Sequence, residues 1–107
     1  MSSLINVTHP SRYHGFRARA PYFEGWYFKL VSADEKHRYA IIPGVYHAVD
    51  PEKSHAFVQV FNSDKDTVTY HRYPFEAFRA ARYRFYIEVG PNSFSAQTMV
   101  LAIDDDL

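Results

Sequence analysis

Residues 22–31 read YFEGWYFKLV, and this stretch decides the class of fold. In an extended strand, alternate residues share a face, here Tyr22, Glu24, Trp26, Phe28 and Leu30. The opposite face is also largely apolar, and aromatic residues fit the pleated surface of a sheet well. We therefore predict a single β-strand over residues 22–31, with the carboxyl of Glu24 on an aromatic face.

Similar segments recur outward from this stretch. We predict strands over residues 38–47, 55–61, 67–72, 83–89 and 94–103. Pro43-Gly44 predicts a bulge or bend in the second strand, because proline cannot donate to a ladder. In the strand over 83–89 the alternation places Tyr83, Phe85, Ile87 and Val89 inward.

Residues 74–81 differ from these segments. Phe75 and Phe78 lie three positions apart among helix-tolerant residues, which predicts about two turns of helix. A strand over the same residues also fits the pattern.

Six short strands joined by hairpin-length loops predict an all-β domain, an antiparallel meander that forms a barrel or a partial barrel. The aromatic content of 18% supports this class, because each ring buries a large area in a thin core. The chain has 107 residues, which fits one domain. We divide it into an irregular leader, 1–20, and a single β-rich domain, 21–107.

Composition excludes several classes of function. Twelve basic and twelve acidic residues cancel, so no overall field attracts nucleic acid, and we expect no nucleic-acid partner. Without cysteine there are no disulfides and no thiolate metal sites. No apolar run approaches the roughly 18 residues that a membrane span needs, and the first ten residues lack the apolar core of a secretory signal. We expect a cytoplasmic protein whose membrane contact, if any, is peripheral.

Five motifs occur in order along the chain: YHGF at 13–16, PYFEGWYFK at 21–29, YAIIPGV at 39–45, SHAFVQV at 54–60 and GPNSFS at 90–95. Together they resemble the tocopherol cyclase family, which includes plant and cyanobacterial enzymes and uncharacterised bacterial members. The resemblance covers nearly the whole chain, and the glycine-tryptophan motif is its most distinctive part. Family members are longer, so the resemblance implies the amino-terminal portion of such a protein, incomplete relative to the longer family.

The resemblance implies a lipocalin-like architecture and an apolar small molecule as partner. The family's enzymes close the chromanol ring of tocopherols from prenylated quinols without a cofactor. Enzyme activity here would thus be that of an intramolecular lyase of the isomerase class. Whether this chain is itself competent stays open at this point.

Chromanol closure needs an acid for the alkene, stabilisation of a tertiary cation and a base for the phenol. Glu24 is the candidate acid, because a desolvated carboxyl can remain a proton donor. The alternative is that Glu24 pairs with Arg38 or another nearby base. His47 and His55 flank the loop 50–53 and are further acid or base candidates if they are neighbours across it. Their spacing matches no established metal site, so we predict no metal.

Aromatic residues near these groups are the candidate ligand-binding residues: Trp26, Tyr27, Phe28, Tyr46 and Phe57. Ring faces attract cations by about 0.5–2 kcal/mol each, which suits a carbocation intermediate. For each of them, packing in the core is the alternative role. Two alternatives to a cyclase-like domain also remain. One is a non-catalytic lipocalin-like binding module, and the other is a structural fragment that forms a homodimer through an exposed sheet edge.

Overall fold

The computed structural model describes the backbone of residues 3–6 and all of residues 12–103. The strands of this part are β1 (Ser3–Asn6), β2 (Tyr22–Gly25), β3 (Phe28–Ser32), β4 (Arg38–His47), β5 (His55–Asn62), β6 (Thr67–Pro74), β7 (Phe78–Ala80), β8 (Tyr86–Val89), β9 (Asn92–Ser95) and β10 (Met99–Val100). Single 3₁₀ turns lie at Pro51–Lys53 and Phe75–Ala77. The chain is mainly β, as the sequence predicts.

The strands form two antiparallel sheets. The large sheet has the order β1-β3-β4-β5-β6, and β2 pairs with the end of β4 that β3 does not reach. The small sheet has the order β10-β9-β8-β7. From β3 to β6 and from β7 to β10, each strand pairs with the next one in the chain, which is the predicted meander. Both sheets are open across the described residues, which agrees with the partial-barrel alternative.

The irregularity predicted at Pro43-Gly44 lies in the neighbouring strand instead. β4 runs unbroken over its predicted bounds, whereas Trp26 and Tyr27 separate β2 from β3, so the predicted strand over 22–31 is two strands. The Trp26 N–H donates to the Pro43 carbonyl at 3.0 Å. In an antiparallel strand, the nitrogen and the carbonyl of one residue point toward the same neighbouring strand. The Pro43 nitrogen therefore faces the break between β2 and β3, where the sheet requires no N–H donor.

Residues 74–81 do not form the two turns of helix that their spacing predicts, and the alternative strand is correct for Phe78–Ala80. One 3₁₀ turn at Phe75–Ala77 leads directly into β7, in which Phe78 pairs with Val89 of β8. Two turns of helix are marginal alone in water, and here the ladder to β8 satisfies the same backbone groups.

Two other strand predictions in this half are partly wrong. The strand predicted over 83–89 begins at Tyr86, and Tyr83, predicted inward, is 90% exposed, although Phe85, Ile87 and Val89 are buried as expected. The strand predicted over 94–103 is a hairpin of β9 and β10. The Ser95 hydroxyl accepts hydrogen bonds from the N–H groups of Gln97 and Thr98, which holds the turn between them.

The leader also departs from its prediction. Ser3–Asn6, within the segment expected to be irregular, forms β1 and pairs with β3 in the register Ser3 to Ser32. Four residues are too few for a period to be read from sequence, and the free edge of β3 supplies the backbone partners. Residues 12–20 contain no strand or helix, as expected.

The core lies between the two sheets. The face of the large sheet that packs against the small sheet is called its inner face. Buried residues from both sheets and from residue 13 form one cluster: Tyr13, Trp26, Phe28, Ile41, Val45, Ala56, Val58, Val60, Phe85, Ile87, Val89 and Phe94. The buried polar residue Asn92 donates to the Tyr73 hydroxyl and the Val89 carbonyl and accepts from the Ala102 N–H. Because its amide is satisfied, this polar group tolerates burial and ties β9 to its neighbours.

Candidate functional site

The predicted site residues divide between the two faces of the large sheet. Glu24, Trp26, Phe28 and His47 belong to the inner face, and Tyr22 of β2 lies opposite His47 of β4. The outer face carries the remaining predicted residues: Tyr27, Tyr46, His55 and Phe57. Although β4 and β5 are paired, Tyr46 is the residue opposite His55. Since successive side chains alternate between faces, His47 and His55 point away from each other.

Glu24 is the centre of a polar cluster at the open end of the inner face. Its Oε1 accepts a hydrogen bond from the Tyr22 hydroxyl at 2.5 Å and another from the His14 backbone N–H at 3.1 Å. Its Oε2 lies 2.9 Å from Nδ1 of His14. The Glu24 side chain is only 14% exposed. These groups give Glu24 several polar neighbours, so its geometry is that of a hydrogen-bond acceptor and differs from the desolvated proton donor that the sequence suggested.

The segment 12–20 brings His14 to this carboxylate. Tyr13 is buried in the core cluster, which anchors the segment across β2, and the Ala18 N–H donates to the Gly15 carbonyl in a tight turn. A Cβ on Gly15 would overlap the Tyr13 hydroxyl and approach the Tyr22 ring. Glycine therefore permits the close approach that holds both phenols near Glu24.

A cleft of about 480 Å³ lies beside the polar cluster. Its walls come from the segment 12–20, the end of β4 and the stretch from Phe75 into β7. The lining includes the rings of Tyr13, Phe16, His47, Phe75 and Phe78. Tyr13 connects the cleft to the polar cluster. Its ring lines the cleft, and the charge of Glu24 contributes to the raised pKa of its hydroxyl. The cleft is therefore an aromatic pocket next to a fixed hydrogen-bond acceptor.

Trp26 lies directly behind this pocket. Its ring stacks on Phe78, with centroids 6.3 Å apart and planes 11° apart, and Tyr13 packs against Phe78 at 4.9 Å. Phe28 lies deeper, against Phe85 and Phe94. Trp26 thus touches a wall of the cleft, whereas Phe28 serves the core.

Both phenols of the polar cluster are held in the neutral form. Burial, together with the hydrogen bond to Glu24 and its charge, raises the pKa of Tyr22 well above its ordinary value. Burial, with the Glu24 charge as the second cause, also raises the pKa of Tyr13. Tyr22 therefore remains a hydrogen-bond donor to Glu24 at neutral and mildly alkaline pH.

The raised pKa of Tyr22 predicts a loss of stability at alkaline pH. The unfolded chain releases this proton near pH 10 while the folded protein retains it, so the free energy of unfolding falls as pH rises above about 10. Below that pH the group has no such effect. Urea denaturation between neutral and alkaline pH measures the slope. In the Tyr22→Phe variant the slope of the unfolding free energy against pH should correspond to about one proton fewer than in the wild type. In Glu24→Gln the slope should decrease by part of that amount. An unchanged slope in Tyr22→Phe would show that the pKa of Tyr22 is not raised.

The outer face carries a separate aromatic group. Phe57 stacks between Phe23 and Tyr70 with interplanar angles of 15° on both sides. The Tyr70 hydroxyl lies 2.7 Å from Nε2 of His55, and His55 packs edge-on against Tyr46. We call these five residues the outer aromatic cluster. It contains three of the predicted site residues, His55, Tyr46 and Phe57, on the opposite side of the sheet from Glu24.

A second cleft, of about 560 Å³, lies on the outer face beyond this cluster. Tyr27, which is 58% exposed, forms one of its walls. Three predicted ligand-binding residues therefore belong to the outer face, where no predicted catalytic residue other than His55 is present.

Sequence reasoning missed several residues of the inner site. His14, Tyr13 and Phe78 reach Glu24 and its cleft only through the path of the backbone. Tyr22 was detectable, because it lies two positions from Glu24 on the same face of a strand. The local sequence around Tyr13 and His14 has no periodicity that would indicate that this segment packs over β2.

No known protein family, curated protein or solved structure matches this chain. Among the described residues there is no group of three or more histidine, aspartate or glutamate side chains placed to hold a metal ion. The same residues include no helix with the length and apolarity to cross a membrane.

Proposed function

We propose that this chain is a tocopherol cyclase-like domain that binds an apolar, ring-bearing small molecule of the prenylated-quinol type in the inner cleft. The observation that carries the proposal is the aromatic cleft that shares Tyr13 with the hydrogen-bonded carboxylate of Glu24. The motif at 21–29, the most distinctive part of the family resemblance, and the motif at 13–16 contribute several residues to this one region. Those residues include Tyr13, His14, Glu24 and Trp26.

The two halves of such a ligand match the two halves of the site. A quinol hydroxyl needs a hydrogen-bond partner. Glu24 does not itself line the cleft, but its carboxylate lies near Tyr13, which does, and a buried acceptor favours a ligand that can donate. A prenyl tail needs an apolar wall, which Phe75 and Phe78 supply. Concave sites with mostly aromatic walls and few polar groups are typical of small-molecule binding.

Ring closure in complete relatives would follow from the same arrangement. An acid in the cleft, for which His47 is the candidate, gives a proton to the trisubstituted alkene. The phenol oxygen then forms a bond to the resulting tertiary carbon, and the phenol proton leaves to a base, which returns the proton to the acid through solvent. The product is an isomer of the substrate. Glu24 suits the base, rather than the acid that the sequence suggested, because groups already donate to it. The faces of Phe78 and Tyr13 would stabilise the cation.

Trp26 fluorescence tests ligand binding directly. It is the chain's single tryptophan and stacks on a wall of the cleft. Adding geranyl hydroquinone should quench its emission saturably, and octyl glucoside should not. Glu24→Gln should weaken the affinity about tenfold, since a charged acceptor is replaced by a neutral one. Glu52→Gln, at an exposed carboxylate of the loop 50–53, is the matched control and should bind like the wild type.

The dimethyl ether of the same ligand separates the two halves of the site. It keeps the tail but has no hydroxyl to donate, so it should bind the wild type about as weakly as geranyl hydroquinone binds Glu24→Gln. Equal quenching by hydroquinone, ether and detergent would overturn the proposal. Chromatographic detection of the chromanol isomer distinguishes a cyclase from a non-catalytic binding module, since the module would bind the hydroquinone and return it unchanged.

A further inference from the structure

The longest sheet edge among the described residues is β6. It is paired on one side with β5 over all eight of its residues, and it ends the order of the large sheet. The edge strands of the small sheet, β7 and β10, have three and two residues, and β1 has four. In an edge strand, every second residue directs its N–H and C=O away from the sheet. β6 therefore presents a row of backbone hydrogen-bond donors and acceptors along its outer edge.

The usual devices that block an edge are sparse on β6. Its sequence is TVTYHRYP, with proline only at its last residue, one arginine and no lysine. Threonine, valine and tyrosine favour extended backbone. On the outer face, Tyr70 is 49% exposed and Val68 is more exposed still. A partner strand would thus gain both backbone hydrogen bonds and apolar contact.

The outer aromatic cluster ends at this edge. Its stack runs from Phe23 on β2 through Phe57 on β5 to Tyr70 on β6. The hydrogen bond between the Tyr70 hydroxyl and His55 fixes the last ring before the edge is reached. The next ring in such a row would belong to a strand added beyond β6.

We propose that β6 pairs antiparallel with β6 of a second copy of this chain, about a two-fold axis that passes beside Tyr70. A two-fold axis makes the interface self-complementary, so each pair of residues occurs twice. Directly opposite residues of antiparallel strands share a face, so the outer faces of the two copies join when Tyr70 lies opposite Tyr70. The aromatic rows of the two copies then form one continuous row.

Charge agrees with this partner. In the proposed register Val68 lies opposite Arg72 and Thr69 lies opposite His71, so no like charges face each other. The formal net charge of the chain is zero, so two copies experience no net repulsion. A homodimer with a two-fold axis is also the commonest closed assembly of soluble proteins.

Opposite charges at one position test the edge and the register together. Light scattering over a dilution series should show a dimer for the wild type. Tyr70→Lys and Tyr70→Glu should each dissociate at least about tenfold more readily, because two like charges then face each other across the axis. An equimolar mixture of the two variants should recover the dimer. Tyr83→Lys, on an exposed residue outside both sheets, is the matched control.

A single engineered thiol provides an independent readout. The chain has no cysteine, and directly opposite residues of an antiparallel pair lie at Cα distances of about 4.5–5.5 Å, within disulfide range. Tyr70→Cys should therefore form a cross-linked dimer under mild oxidation much faster than Tyr83→Cys. A wild type that is monomeric throughout, dimers that persist in both charge variants, or a mixture that stays monomeric would each overturn the proposal. So would equal cross-linking of the two cysteine variants.

Discussion

Replacing Phe28 with alanine is expected to lower the free energy of unfolding by about 3–5 kcal/mol. Phe28 lies on β3, has no exposed surface, and its ring packs 5.8 Å from Phe85 and 5.5 Å from Phe94. Those two rings come from the half of the chain that forms the small sheet. The substitution therefore leaves a cavity at the place where the two sheets meet, and its cost combines lost burial with lost packing.

Phe23→Ala is the matched control for this prediction. It removes the same side chain from the adjacent strand β2, but Phe23 lies on the outer face and is 63% exposed. Urea denaturation of both variants should give a far smaller loss for Phe23→Ala. If Phe28→Ala does not fold, Phe28→Leu, which keeps most of the apolar volume, should still be measurably less stable than the wild type. Equal losses for the two alanine variants would mean that Phe28 does not join the sheets.

The second large effect is expected for Gly44→Ala, at about 1–3 kcal/mol of destabilisation. A Cβ at this position would overlap the ring of Phe57 and lie 2.7 Å from the backbone carbonyl oxygen of Glu24. Phe57 cannot move aside easily, because it is buried and stacked on both sides by other rings. The strain would also reach β2, which carries the candidate site.

Gly25→Ala is the sharpest comparison for Gly44→Ala. Gly25 lies directly opposite Gly44 in the pairing of β2 with β4, yet a Cβ there would meet its nearest neighbour at an ordinary 3.5 Å. It should change stability by less than about 1 kcal/mol, because alanine fits at this position and also lowers the conformational entropy of the unfolded chain. Adding Phe57→Leu to Gly44→Ala should recover part of the loss. Equal behaviour of the two glycines would contradict the proposed close packing around Gly44.

Much of the fold follows from local pattern. β4 has the bounds that the sequence predicts, and the inward positions of Phe85, Ile87 and Val89 follow from their alternation. These segments are predictable because a period of two places every second side chain on the buried face, whatever the partner strand is. Gly90 forms the turn between β8 and β9, and its φ of 57° is a conformation that glycine adopts without strain.

The errors arise where tertiary contacts choose between local structures of similar energy. Phe75 and Phe78 have helical spacing, but Phe78 stacks on Trp26, which is far away in sequence, and this contact favours the pairing of β7 with β8. The break at Trp26 and Tyr27 depends on Pro43 of a neighbouring strand. No window of consecutive residues contains either fact.

The same division applies to the candidate site. The sequence by itself determined an all-β chain, the inward face that Glu24 shares with Trp26, and the absence of thiol chemistry. Only the tertiary structure decided that His14 and Tyr22 bond to Glu24, that His47 and His55 lie on opposite faces, and that the aromatic cleft forms beside Tyr13. The physical reason is that alternation fixes the face of a side chain within one strand, whereas a site is made where distant segments meet, and those meetings are set by packing of the whole chain.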